Sequence, residues 1–440
     1  MTASPLDSLA PRERSRWWRL RFEAREWLTR SLIVVPTLYI VGALVLAQGA
    51  ARIEGERDVL SLGFAQDTAL TFLSAVAGGM IAFTGLVVSV ALLVVQFGAS
   101  QYTPRLVAMF RRDPVVTHAL GIFIAPAICA LVSMGFIGEN HARVVPSLTI
   151  TVNLVLVIAA VVAFFLLVSR LLDLLRPRVL VGRLVELGMT AAGDVYPFEL
   201  GQTPHLPLPF EEAQDRLPVH HTGRSGVLSA LDRGAIVRIA ERAGAVVVLT
   251  RGVGAYVPTG AVLFMVHGGT DKVPAAALRR AAILSQERTT RQDPAFAIRA
   301  IVDIALKALS PAVNDPTTGV NAIDGLESLL LFLGRRDLER GRITDEQGNV
   351  RLVYPTPDWP ALLELALAEV RHYGGDSLQI ARKLRSTLLA LRRHSPELRW
   401  PEIEAELARL DAHVQQVYGD ERDRSDAAVA DSMGLGAPGT

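Results

Sequence analysis

Cysteine occurs once in this chain, at Cys129, and the nine histidines show no HExxH spacing. A single thiol excludes an intramolecular disulfide, and the absent spacing removes the usual helical zinc site. The phosphate loop GxxxxGK(S/T) and the GxSxG nucleophile elbow are also missing. No assembled set for nucleotide or ester hydrolysis is therefore present. Net charge is nearly absent: 45 Lys and Arg face 44 Asp and Glu, which argues against nucleic acid as a partner. These absences lead us to expect no cofactor, no metal and no catalytic residue.

The most consequential absence is local. Residues 68–104 form a run of 37 without one Asp, Glu, Lys or Arg. A bilayer core needs only about 20 apolar residues of helix, so this run places the protein in a membrane. Half of all residues are hydrophobic, and mean hydropathy is +0.32. That balance suits a membrane half joined to a soluble half. We expect four spans, at about 31–48, 68–97, 115–138 and 145–169. Residues 1–30 interleave seven arginines with Trp17, Trp18, Phe22 and Trp27. They read as an amphipathic interfacial segment and an uncleaved anchor, with lipid headgroups as the partner. Arg105, Arg111 and Arg112 follow span two, and Arg170, Arg176, Arg178 and Arg183 follow span four, whereas Arg143 stands alone after span three. Basic residues thus alternate in side, and the positive-inside rule puts both termini in the cytoplasm.

The second span carries an internal pattern. Thr71, Ala75, Gly78, Ala82, Gly85, Ser89, Gln96 and Ser100 recur at steps of three and four, with Leu92 interrupting the series. At about 100° per residue they share roughly an 80° arc of helix. Two readings stand. Small residues let membrane helices approach closely, within or between subunits. Alternatively, a symmetric oligomer sets this face around an axis, where Ser89, Gln96 and Ser100 meet a passing solute. No charge lies in the span, so neither strong ion selectivity nor a proton relay is encoded there.

Beyond residue 175 the composition becomes that of a soluble domain. The expected fold class is mixed: an N-terminal four-helix transmembrane bundle over 31–175, then a cytoplasmic α+β domain. The latter divides into a proline-rich connector (176–223), a small β-rich module (224–270), a helical domain (271–418) and a disordered tail (419–440). Asp232 is placed to cap a helix over 233–243. Asp293-Pro294 and Asp315-Pro316 repeat the signal of a cap followed by proline at the first helical position.

Three segments resemble one family. They are Gln96-Phe-Gly-Ala-Ser-Gln-Tyr-Thr-Pro-Arg-Leu, the hairpin Gly254-Ala-Tyr-Val-Pro-Thr-Gly-Ala-Val-Leu, and the run from Asp293-Pro-Ala-Phe-Ala-Ile-Arg through Ser310-Pro-Ala-Val-Asn-Asp-Pro-Thr-Thr. Together they are similar to the bacterial "domain of unknown function 2254" family, in order along nearly the whole chain. The resemblance implies a bacterial inner-membrane protein and carries over no activity, substrate or catalytic residue. The hairpin is also similar to those of biotinyl/lipoyl-like barrel-sandwich domains. It has no Lys at its tip, so a structural role is expected rather than group transfer.

The densest polar patch of the soluble half spans 287–324. Arg299 and Asp303 share a helix face, and Asn314, Asp315, Thr317, Thr318, Asn321 and Asp324 gather around the next helix start. The structural reading is an ion-pair ladder and a capped turn. A small anionic ligand at a helix N-terminus is the functional alternative. Metal binding by Asp303, Asp315 and Asp324 fits no standard loop spacing. Three function classes follow: a homo-oligomeric, channel-like conduit with a regulatory cytoplasmic domain; a non-transporting membrane scaffold or sensor; and, last, a membrane-tethered enzyme with its site near 303–324.

Overall fold

The computed structural model describes residues 33–56, 66–101, 113–139, 147–174, 176–202, 215–338 and 341–436. The interfacial segment at 1–30 and Arg105, Arg111, Arg112 and Arg143 lie outside the described residues. The chain divides into two units, one over 24–176 and one containing 177–440.

The first unit is four helices: α1 (Val34–Glu56), α2 (Gln66–Gln101), α3 (Pro114–Glu139) and α4 (Ser147–Leu174). Each is long and apolar enough to cross a membrane. In hydrocarbon a helix satisfies its own backbone, which makes it the form these runs adopt. The helices match the expected spans in number and order. α2 has 36 residues and so extends about 54 Å, well beyond a core of roughly 30 Å.

The overlong second helix is not the centre of the bundle. α3 touches α1, α2 and α4, and 44% of its apolar window is buried against 11% for α2. Phe123 of α3 is fully buried, with Phe83 edge-on at 5.5 Å, and Phe83 meets Phe164 of α4 at 5.3 Å. Ala43 and Ala47 of α1 pack with Ala125 and Cys129 of α3. These small residues permit the close approach that membrane helices use in place of a hydrophobic driving force.

The second unit opens with α5 (Pro177–Val195), which buries Leu180, Val181, Leu184, Gly188 and Ala192. This segment falls in the expected connector, yet it is a helix of the core, packed on α8 (Pro294–Ala308) and α9 (Pro316–Gly334). Its apolar residues recur at helical spacing, and two glycines allow the contact. A Cβ on Gly188 would crowd Ala297 and Leu329 at 2.9 Å, and one on Gly325 would collide with Val181.

The strands also exceed the expected module. β1 (Arg216–His220), β3 (Val246–Leu249) and β5 (Val262–His267) join β7 (Gly341–Thr344) and β8 (Val350–Tyr354) in one sheet of order β1-β5-β3-β8-β7. The smaller sheet, β4-β2-β6, combines β2 (Gly226–Leu231), β4 (Tyr256–Val257) and β6 (Ala282–Ser285). β8 runs parallel to β3 and the other pairings are antiparallel. A parallel pair needs a long crossover, here supplied by the intervening helices. The β7–β8 hairpin, inside the stretch expected to be helical (271–418), therefore completes the sheet. α6 (Arg233–Ala243) and α7 (Ala275–Arg280) flank the strands.

Three more long helices, α10 (Trp359–Gly374), α11 (Leu378–His394) and α12 (Trp400–Val417), complete the bundle. The tail expected to be disordered folds onto it. α13 (Glu421–Ala427) is capped by Asp420, and the chain beyond lies along α11. Arg382 donates to the carbonyls of Val429 and Gly436, and Lys383 to that of Ser432. Buried Asp431 accepts from the N–H groups of Met433, Gly434 and Gly436. Composition suggested disorder here, but polar partners on α11 hold a segment that has little apolar surface of its own.

Candidate functional site

The small-residue face of α2 points away from its own bundle. Thr71, Ala75, Gly78, Ala82, Gly85, Ser89 and Gln96 are all exposed, while the Ser100 side chain lies outside the described residues. The buried residues of the helix are Ala69, Leu73, Ala77, Met80, Val87 and Gly98. At about 100° per residue the two sets centre on opposite sides of the helix. A Cβ added at Gly78 or Gly85 would meet nothing within 4 Å. Ile81 and Leu92 flank the face on one side, Leu86, Val90 and Phe97 on the other, all exposed. Packing inside the subunit thus uses the opposite side of the helix.

Hydroxyls on the exposed face are satisfied locally. Thr71 Oγ1 donates to the Asp67 carbonyl at 2.7 Å, and Ser89 Oγ to that of Gly85 at 2.9 Å. Such back-bonding lets a polar side chain stand at membrane depth without a neighbour.

The polar patch of the second unit resolves into separate pairings. On α8, Arg299 Nε donates to Asp303 at 2.7 Å, and the same guanidinium grips Glu369 of α10, with Nη2 at 3.0 Å. The Arg299 hydrogen bond holds the Glu369 carboxyl below its usual range. Asp315 caps α9, accepting from the backbone N–H of Thr318 at 3.1 Å and from its hydroxyl at 2.6 Å. Asn314 takes the only positive φ of a non-glycine residue among the described residues, 48°, which an Asn tolerates in a tight turn. Asn314 and Thr317 are exposed, and Asn321 is half-buried. Asp324 pairs with Lys383 of α11 at 2.6 Å, and Thr387 beside it donates to Glu327 at 2.6 Å. The paired residues therefore fall into three separate groups: Arg299 and Asp303 with Glu369 of α10, Asp315 with Thr318 of its own helix, and Asp324 with Lys383 of α11. Among the described residues no cluster of His, Cys, Asp or Glu is arranged to hold a metal ion.

Two of the family-like motifs meet. The backbone at Gly254 has φ 90° and lies against Asp293 and Arg288, where any Cβ would collide. Asp293 is buried, caps α8 through the Phe296 N–H at 3.1 Å and pairs with Arg288 at 2.8 Å. Burial pushes its carboxyl pKa up, and Arg288 opposes that shift. The hairpin turn is thereby latched to the start of α8.

Several polar residues were not anticipated. Fully buried Asp113 accepts the Val115 N–H at 3.0 Å and pairs with Arg170 of α4 at 2.9 Å. Glu54, at the end of α1, accepts from the backbone and hydroxyl of Thr149, at 2.9 and 2.7 Å. Asp113-Pro114 repeats the cap-plus-proline signal of the soluble half, so Asp113 was readable. Glu369, Lys383 and Glu54 act across elements distant in sequence, and no local pattern marks them.

A family model described as "Predicted membrane protein (DUF2254)" matches residues 29–390. The chain is similar to the "Uncharacterized protein Rv1290c" of Mycobacterium tuberculosis and the "Uncharacterized protein Mb1321c" of Mycobacterium bovis. Each is 26% identical over 360 residues, covering 80% of this chain and 69% of the relative. No solved structure matches the chain.

Proposed function

Because the chain belongs to the DUF2254 family of predicted membrane proteins, we propose that it works as a homo-oligomer of the inner membrane, a channel-like conduit with both termini in the cytoplasm. The observation that supports this is the exposure of the seven described small or polar positions of α2. Small residues on a membrane helix serve close approach. Here the subunit's own helices lie on the other side, so the matching surface is a second copy. Closed symmetry would bring several copies of this face around one axis. Hydroxyls, glycine backbone and the Gln96 amide would then border a narrow, uncharged path. In this reading the second unit, with its ion-paired helices, is the regulatory part, and a small anionic ligand is its candidate effector.

Purified protein reconstituted in liposomes tests the conduit. We expect solute or ion flux that Gly85→Leu abolishes while the protein still reconstitutes. Absence of flux under voltage, tension and osmotic gradient, from an assembled oligomer, refutes the conduit. It would leave the scaffold or sensor reading, which needs the same interface and no path. The enzyme reading near 303–324 is weakened by the pairing of Arg299, Asp303 and Asp324 with protein partners.

A further inference from the structure

We propose that the first unit carries a phospholipid site at the end of the bundle where α3 begins: an acyl chain in a groove between α3 and α4, and the lipid phosphate on Arg170. The groove measures about 240 Å³ and is lined by Pro114, Val115, Ala119 and Ile122 of α3 and by Ala163 and Leu166 of α4. From Pro114 to Ile122 is eight residues, about 12 Å along a helix axis, so the groove runs from the helix end well into the hydrocarbon region. Among the described residues His118 is its one polar lining residue, and Tyr39 of α1 engages it through a hydroxyl–Nδ1 hydrogen bond of 3.2 Å.

Arg170 lies one turn beyond Leu166 on the same face of α4, at the mouth of this groove. Its Nε donates to Asp113, a carboxylate fully buried at the start of α3, while the Arg170 side chain keeps 32% of its surface exposed. A hydrogen bond from the Val115 N–H also ties the Asp113 carboxylate to the helix end. A guanidinium held by Nε is oriented, and its two amino groups have no partner among the described residues. That fork is the geometry that takes two phosphate oxygens. A buried pair used for fold alone would be expected to enclose both partners. Here the anion is enclosed and the cation is presented, beside an apolar groove between two membrane-length helices. Free phosphate would use the fork without the groove, and a lipid lacking phosphate would use the groove without the fork. The two features together select a phospholipid.

Native mass spectrometry of the full chain in detergent, delipidated and then titrated with phosphatidylglycerol, tests this. The expected result is one retained phospholipid per chain for the unaltered protein, with diacylglycerol and inorganic phosphate each bound at least tenfold more weakly. Ala163→Trp fills the groove without touching the ion pair and should lower phosphatidylglycerol occupancy at least tenfold. Arg170→Gln with Asp113→Asn removes the fork without leaving a buried charge, and should bring phosphatidylglycerol down to the diacylglycerol level. Gel filtration and thermal unfolding establish that each variant is folded. Equal phosphatidylglycerol binding in the unaltered chain and both variants overturns the site. Diacylglycerol binding as tightly as phosphatidylglycerol overturns the role of Arg170. Should one variant fail to fold, the other decides.

Discussion

Several individual residues in this protein do one identifiable thing, and most of those were readable in advance. Asp232, Asp293 and Asp315 each cap a helix, as a short acceptor before an apolar run should, and Pro294 and Pro316 take the first helical positions. Removing a cap leaves backbone donors unpaired, so Asp315→Ala should cost about 1 kcal/mol by denaturant unfolding, with no change in slope. Gly254 was legible as a turn glycine, but its burden was not. With φ 90° and Asp293 and Arg288 against it, Gly254→Ala should cost roughly 1–3 kcal/mol from strain, plus the collision. The role of His413 was invisible in the sequence. Burial lowers its pKa, and Arg371 and then His372 lower it further. An ordinary unfolded histidine titrates near about 6.5. A depressed folded value means the folded chain resists protonation. The stability this residue protects is therefore complete above about pH 6.5 and is lost as pH falls through the window below it. Melting temperature of the full chain should fall across that window, and His413→Gln should shallow the slope. An unchanged slope contradicts the assignment.

At the scale of elements, the sequence separated the two kinds of helix well. Uncharged runs gave four spans, because backbone in hydrocarbon has few alternatives. What periodicity could not assign was which side of α2 faces its own bundle. Its small face is one arc and its buried residues, Leu73, Ala77 and Met80 among them, occupy the opposite one. Both arcs are compatible with a membrane helix, and only the partner decides. Since nothing lies within 4 Å of an added Cβ at Gly78 or Gly85, Gly78→Leu and Gly85→Leu should leave the single subunit folded while disrupting assembly. Light scattering in detergent would show a smaller particle at unchanged helix content. Loss of helix content would contradict the placement. Strands were less legible than helices. β7 and β8 fall within the stretch expected to be helical, Arg342 and Arg351 interrupt their apolar runs, and their membership in the sheet depends on a parallel pairing with β3 about 100 residues away in sequence.

On the scale of the whole molecule, the division into a unit of membrane-length helices and a second unit of sheets and helices follows from composition alone, whereas the internal borders of the second unit do not. α5, β1 and the segment beyond Ala427 lie in stretches that composition marks as connector or tail, yet each completes a core begun elsewhere. The last segment supplies carbonyls to Arg382 and Lys383, each only 4% exposed. Deleting residues 428–440 should therefore destabilise the chain by on the order of 3 kcal/mol, read by thermal unfolding, because buried Arg382 loses its carbonyl acceptors and Lys383 keeps Asp324 but loses the Ser432 carbonyl. Assembly is the central claim, and cysteine cross-linking in native membranes tests it most directly. Cys129 is replaced by Ala, and single cysteines are placed at Gly78, Gly85 and, as an exposed control on the flank of the small face, Val90. The account predicts rapid oxidative dimers at 78 and 85 and few at 90. Equal cross-linking at all three, or none at 78 and 85, would contradict an assembly built on the second span.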